Sequence, residues 1–440
     1  MLTEFIQSLR GFSMSIFQVV VPGVLLASAL SALPASAHAS GDEVYLAAGL
    51  RGAGEVGTTG DKDGRSTVVL KISGDEITFA IRWNRIGTPT AAHVHLGARG
   101  VNGEIKLNLI TTPMPKGVLG VSGTVKAGPD VVNALLAGPD GFYANLHDAK
   151  HPKGALRGQF HRLSKPIDLR GVLHGSNQAT LSAGASGAQE VQENDGKKRG
   201  DQDGQAVWWL RRSGSALAYT ASWSKLGAVT NGHVHKGAAG KNGPVVADLF
   251  AGSLPANLTG VAGETPLSGK IAKRITDEPG GYYTNLHTTD FSGGAVRGQL
   301  SDQKFTHPRA VTADVRRGSQ IYSCTRQPSG AFAFTQLGVT AKLRRGIDHS
   351  FVTPAAGPPQ WIAPDGSAVR GTVVTKTPNG DGNIPELVLD AAQTGAKTGL
   401  LAHATQILRL NTVGGVAPTG ACKPGSEVKV AYGSDYLFLG

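Results

Sequence analysis

The sequence predicts an all-β protein: two tandem β-sandwich or flattened-barrel domains, then a C-terminal, mainly-β domain closed by a disulfide. Three observations carry this. A set of landmark residues recurs at a constant spacing of 140 positions. Short runs rich in β-branched residues alternate with glycine-bearing turns, and helical periodicity is scarce. The chain has 440 residues, of which 61 are glycine, 40% hydrophobic and only 17% charged. That length suits about three domains. The balance is too apolar for a disordered chain, and the glycines have no collagen period.

The first element is a targeting segment. Arg10 precedes an apolar run from Met14 to Leu33, and Ala35-Ser36-Ala37 follows as a small-residue cleavage site, with Ala37-His38-Ala39 as a shifted choice. This predicts a secretory signal over residues 1–37, removed in the mature protein. The rival reading is an uncleaved anchor, because the run approaches the length of a membrane span. No later segment is apolar enough to cross a bilayer, so no span remains after cleavage. The expected location is secreted, periplasmic or at the cell surface. In such an oxidising compartment Cys324 and Cys422, the only cysteines, can pair. Closing so long a loop contributes roughly 4–5 kcal/mol in the chain-entropy model; two buried free thiols are the alternative.

The formal charge is +11, and the signal segment removes one Glu and one Arg, so the excess survives processing. A basic exported protein is expected to meet anionic polysaccharide or other envelope or extracellular proteins. Lys197-Lys198-Arg199 lies between Gly196 and Gly200 and reads as a solvated loop. No basic run is interleaved with aromatics, so no nucleic-acid partner is expected.

The duplication comes next. Ala92-His93-Val94-His95-Leu96-Gly97 returns as Gly232-His233-Val234-His235-Lys236-Gly237. Gly141-Phe142-Tyr143-Ala144-Asn145-Leu146-His147 returns as Gly281-Tyr282-Tyr283-Thr284-Asn285-Leu286-His287, and Ala155-Leu156-Arg157-Gly158-Gln159 as Ala295-Val296-Arg297-Gly298-Gln299. Two copies of one domain are expected at residues 45–163 and 180–302, joined by a linker at 164–179. In the first copy, Ser66 to Ile72 and Ile77 to Trp83 flank Ser73-Gly74-Asp75, a hairpin signal; Ala206 to Leu210 and Leu217 to Trp223 repeat it. The best helix candidate, Pro129 to Leu136, is short enough to be a connector.

The motifs His-x-His-x-Gly, Asn-x-His and Arg-Gly-Gln, in that order and in both copies, resemble the CHRD domain, the repeat of chordin and of many bacterial secreted proteins. The remaining segment, 310–440, is unrelated to the repeats. Gln320-Ile321-Tyr322-Ser323-Cys324, Trp361 before Asp365-Gly366-Ser367, Ile407-Leu408-Arg409-Leu410-Asn411-Thr412 before Gly414-Gly415, Cys422, and the close from Tyr432 to Phe438 resemble an exported microbial domain family of unknown function. Pro385-Glu386 departs from that pattern, which usually has an aromatic there.

Six of the thirteen histidines belong to the duplication. His93 and His95 lie two apart on a predicted strand, so both imidazoles share one face and Val94 takes the other. His147 can approach from a neighbouring strand, and His233, His235 and His287 repeat the arrangement. Three converging neutral imidazoles suit copper or zinc. The order His93, His95, His147, Arg157 is also similar to copper-zinc superoxide dismutases. The bridging histidine and the zinc-loop His/Asp set are missing, so dismutase chemistry is not implied.

The competing reading is a structural hydrogen-bond network of His93, His95, His147, Asn145 and Arg157, with Asn285 and Arg297 in the second copy. Arg157 and Gln159, like Arg297 and Gln299, share a strand face, where the Arg either holds an anion or braces the Asn/His row. Asp61-Lys62-Asp63-Gly64, Asp201-Gln202-Asp203-Gly204 and Asn379-Gly380-Asp381-Gly382-Asn383 read as turns, since the distal Glu of a calcium loop is absent. His349, Asp365 and Ser367 lack a nucleophile elbow. The sequence therefore favours an exported, non-catalytic binding or interaction protein. A copper- or zinc-binding, redox-capable protein is the alternative, and a polysaccharide-active C-terminal domain a weaker third.

Overall fold

The computed structural model describes residues 43–175, 179–303, 309–355 and 357–440. The secretory signal expected over residues 1–37 lies outside them. Among the described residues no helix is long and apolar enough to cross a membrane.

Each copy is built as its hairpins predict. Arg65–Ser73 pairs with Glu76–Asn84 through a two-residue loop, and Gly74 supplies the positive φ of +60° that the tight turn needs. Gln205–Ser213 and Ala216–Ser224 repeat this around Gly214 at +59°. The predicted connector helix is Pro129–Ala137, started by proline in the first turn. Its counterpart, Gly269–Asp277, begins instead on the Ser268 side chain, which accepts from Ile271 N–H.

The two copies join edge to edge. Strand Val118–Lys126 of the first pairs antiparallel with Leu258–Pro266 of the second. Val121 lies opposite Val261, its own counterpart, while Gly120 faces Ala262 and Ser122 faces Gly260. A pairing symmetric about one equivalent residue is an isologous contact, so a pseudo-two-fold axis runs through this seam. The expected linker is more than a loop. It contains the helix Leu169–His174, whose Val172 and Leu173 are buried. Leu173 lies over the seam glycines: side chains at Gly120 and Gly260 would meet its methyl groups at 3.2 and 3.0 Å. Glycine there lets the linker close over both copies.

The C-terminal domain is a closed barrel of eight antiparallel strands, each paired with the next and Ala310–Arg326 closing on Glu427–Leu439. The disulfide Cys324–Cys422 is formed. This domain docks on the first copy. In strand Arg65–Ser73, Val68, Leu70 and Ile72 fill the copy's own core, while Val69 on the opposite face joins Tyr45, Ala47 and Ala80 against Val388, Leu408, Leu437 and Leu439. The matching strand of the second copy buries one face only, with Ala206, Trp208 and Leu210 inside and Val207 exposed. Polar clamps border the docked face: Arg51 pairs with Asp435, and Asn411 Nδ2 donates to Gly49 O at 3.2 Å. Glu386, 2% exposed, accepts from Arg99 Nη2 at 2.6 Å and lies 3.1 Å from His161 Nε2.

Candidate functional site: twin histidine clusters

Strand alternation places the first trio. Val94 is fully buried, and His93 and His95 project from the opposite face of Pro89–Leu96. The neighbouring strand Phe142–Asp148 sets Asn145 opposite His93 and His147 opposite Ala91. His93 Nδ1 lies 3.2 Å from His147 Nε2, and in the second copy His233 Nδ1 lies 3.1 Å from His287 Nε2. One ring nitrogen from each histidine of a trio falls within 4.8 Å of the others, in both copies. The sets are near-superimposable: ring centroids of His93 and His95 are 5.7 Å apart, those of His233 and His235 5.6 Å.

Backbone carbonyls fix the tautomers. His95 Nδ1 donates to Gly103 O at 3.0 Å, and His147 Nδ1 to Pro152 O at 3.1 Å. A carbonyl only accepts, so each Nδ1 carries the hydrogen and each Nε2 presents a lone pair. His235 and His287 do the same with Gly243 O and Ser292 O, both at 3.0 Å. The Nε2 atoms of His95 and His235 are buried and have no hydrogen-bond partner among the described residues. Burial, then the neighbouring imidazoles, lowers His93 to about 4; burial and the nearby His233 lower His287 to about 4. Burial lowers the other four as well. All six are therefore neutral at pH 7, the state that offers lone pairs. The copies differ beside the first ligand: His233 Nε2 lies 3.5 Å from Asp248 Oδ1, where the partner of His93 in the ladder is Asn108.

Arg157 and Gln159 do not join the histidines. Arg157 donates to Ala98 O, Val101 O and Asn102 Oδ1, and Gln159 Nε2 to Gly97 O, Asp140 O and Phe142 O. Both hold the loop that returns Gly103 to His95. Arg297 and Gln299 hold the matching loop through Ala238, Lys241, Asn242 and Gly237. Tyr143 stands between Arg157 and the trio: the guanidinium lies 3.5 Å over its ring, and His95 stacks on it at 4.8 Å. The expected single network of His, Asn and Arg is thus divided, because the strand carrying Tyr143 runs between the other two. Gly103 is obligatory there, since a Cβ would sit 1.5 Å from Leu96 O.

Asn145 turns to a residue that sequence comparison at one spacing misses. Its Nδ2 donates to both carboxylate oxygens of Glu55 at 3.1 Å, and Asn285 Nδ2 donates to Glu190 at 2.7 Å. Burial raises both acids to about 7, against the opposing pull of the Asn bonds and the nearby Arg. Glu55 and Glu190 are 135 positions apart rather than 140, because the second copy has a longer loop before Asp201. The signal was Gly52-Ala53-Gly54-Glu55-Val56 against Gly187-Ala188-Gln189-Glu190-Val191.

The remaining motifs make local hydrogen bonds and ring contacts. Asp61 Oδ1 accepts from Asp63 N–H and Gly64 N–H, an Asx turn, and Asp201 repeats it with Gly204. Asn379 Nδ2 donates to Thr412 O, and Asn383 Oδ1 accepts from Gly414 N–H. Ser367 Oγ is held by Asp365 Oδ1 and Leu401 N–H, while His349 stacks on Trp361.

Comparison with known families matches residues 46–160 and 181–300 to the CHRD domain, together more than half of the chain. Residues 306–440 match a protein of unknown function (DUF3455). A search of curated proteins finds no match. The chain belongs to the CHRD domain family, with two CHRD domains followed by a DUF3455 domain.

Proposed function

We propose that this is a non-catalytic binding protein working outside the cytoplasm, and that each CHRD domain holds one copper or zinc ion on its three imidazoles. The observation that carries this reading is the buried Nε2 of His95 and of His235, a lone pair without a donor at the same place in both copies. A purely structural cluster would be expected to satisfy it, since an orphaned buried acceptor costs about 1–3 kcal/mol. Backbone carbonyls on the far nitrogens are the usual outer support of metal-ligating histidine. An all-imidazole set favours copper or zinc over calcium or magnesium. The binding role is preferred to catalysis because Tyr143, Arg157 and Gln159 are committed to holding the loop beside the trio. The test is titration of the mature protein with Zn²⁺ or Cu²⁺. His95→Ala should remove one equivalent and His235→Ala the other; unchanged stoichiometry in both variants sinks the reading.

The acidic partner expected from the net charge has a candidate seat. A cavity of about 360 Å³ between the first CHRD domain and the barrel is lined by five arginines, Arg65, Arg82, Arg85, Arg344 and Arg345, against Asp314 and Asp435. Retention on an alginate column that falls with salt, and falls further in Arg85→Ser, is the expected result. Retention that Arg85→Ser leaves intact would remove this seat.

A further inference from the structure

The C-terminal barrel encloses a cavity of about 230 Å³ that takes no part in the histidine sites. Its lining runs from Val373 and Lys376, both exposed, down to Trp361 and His349, both buried, so it communicates with solvent. Eight strands give a barrel just wide enough to be filled by side chains or to hold one small ligand. Here the filling is incomplete. The volume is below the ~300–1,000 Å³ of sites for drug-sized molecules.

Three features of the lining define what fits. The walls are largely aromatic and aliphatic: His349 stacks on Trp361 at 4.3 Å, Tyr436 stands edge-on to both, and Leu387 and Leu389 belong to the same lining. Two side chains in the lining, each 1% exposed, carry N–H groups without an acceptor among the described residues: Trp361 Nε1 and Gln320 Nε2. The charge is one-sided. Arg409 and Lys376 contribute cations, and among the described residues no Asp or Glu lines the cavity. Arg409 is held in place by donating through Nε and Nη2 to Pro385 O and by a side-chain hydrogen bond to Tyr436, and no ion pair to a carboxylate is found for it among the described residues. Burial keeps His349 neutral, so the cations are not joined by a third.

We propose that the DUF3455 barrel binds a small organic acid, its carboxylate on Arg409 and its apolar body among Trp361, Tyr436 and the leucines. A guanidinium with free donors prefers a carboxylate to a neutral oxygen. Unused buried N–H groups supply the further donors that such a group accepts.

The experiment is calorimetric titration of the full mature chain with benzoate and hexanoate, beside benzyl alcohol and hexanol as neutral isosteres. At least one acid binds, and at least tenfold more tightly than its alcohol. Arg409→Gln lowers the acid's affinity tenfold or more and leaves the alcohol's unchanged. Lys376→Gln, at an exposed position that cannot unsettle the barrel, lowers it by a smaller factor, two- to threefold. Equal binding of acid and alcohol, no binding of either, or wild-type acid affinity in both variants overturns the proposal. The His95 and His235 sites are untouched by these variants, so the result is independent of the metal reading.

Discussion

Replacing Glu386 with alanine should destabilise the docked barrel by about 3–5 kcal/mol, the cost of breaking a buried ion pair from one side. The magnitude follows from its contacts. The carboxylate, 2% exposed, accepts from Arg99 Nη2 at 2.6 Å and from Asn411 N–H at 2.7 Å, and lies 3.1 Å from His161 Nε2. Charge-assisted bonds contribute about 1.5–3 kcal/mol each, and truncation also strands His161, 5% exposed, and the Asn411 N–H. Arg99 is 40% exposed and returns to water in this variant, so the cost falls on the buried partners rather than on the arginine. Burial pushes the Glu386 carboxyl up, but the His161 bond, Arg99 and the Asn411 N–H hold it below the usual 4.5. Its contribution is thus present above pH 4.5 and fades as pH falls through the lowered value, so the gap between variant and wild type should close in acid. Urea unfolding by tryptophan fluorescence reads the stability. There is a second readout, because Arg99 sits in the loop whose Gly103 holds His95. Metal affinity of the first CHRD domain should drop severalfold, while the second, with Ala239 at that position, is unchanged. A loss under about 0.5 kcal/mol, the scale of an ordinary surface change, would refute the claim that this carboxylate fastens the barrel.

Other consequences are separable. Removing Cys324 and Cys422 together as serines releases a loop of sequence separation 98 and should cost about 2–5 kcal/mol, seen as a lower denaturation midpoint for the barrel; an unchanged midpoint contradicts it. Glu55→Gln tests the buried acid. With the folded value raised to about 7, the group's stabilisation is full below pH 4.5 and lost as pH rises through 7. The glutamine variant should therefore exceed wild type by about 1–2 kcal/mol at pH 8, after discount for partial exposure, and match it at pH 4.5. Equal stability at both pH values would show that the acid carries no such strain. Gly103→Ala forces the Cβ into Leu96 O and should cost more than about 2 kcal/mol, together with the first metal site. Gly100→Ala, at φ +77° but with open space around it, should cost about 1 kcal/mol and spare the site; the reverse ranking counts against the loop's role.

Much of this architecture was legible because it was written twice. The hairpins around Gly74 and Gly214 and the His-Val-His strands follow from alternation alone. The joins were harder to see. Val121 against Val261 is a pairing of two edges that look alike in any single copy, and nothing local marks an edge as self-complementary. Docking of the barrel left a fainter trace. Ser66-Thr67-Val68-Val69 is continuously buried, where Ala206-Val207-Trp208-Trp209 alternates, and a strand covered on both faces loses its period of two. Glu386 was visible as a departure from its family's pattern, but its partners Arg99 and His161 lie more than 200 residues away in sequence. The repeat alone groups Arg157 with the histidine row, because both recur in each copy. The intervening Tyr143 ring and the Gly97–Gly103 loop redirect it, and only the strand order reveals that.

The central claim, one metal ion for each CHRD domain, meets its most direct test in the metal content of the protein purified from its native host, beside a His95→Ala/His235→Ala double variant. About two equivalents of copper or zinc per chain, falling to near zero in a variant that stays folded, is the predicted result. Wild-type protein that carries no copper or zinc and takes up neither when it is added would contradict it.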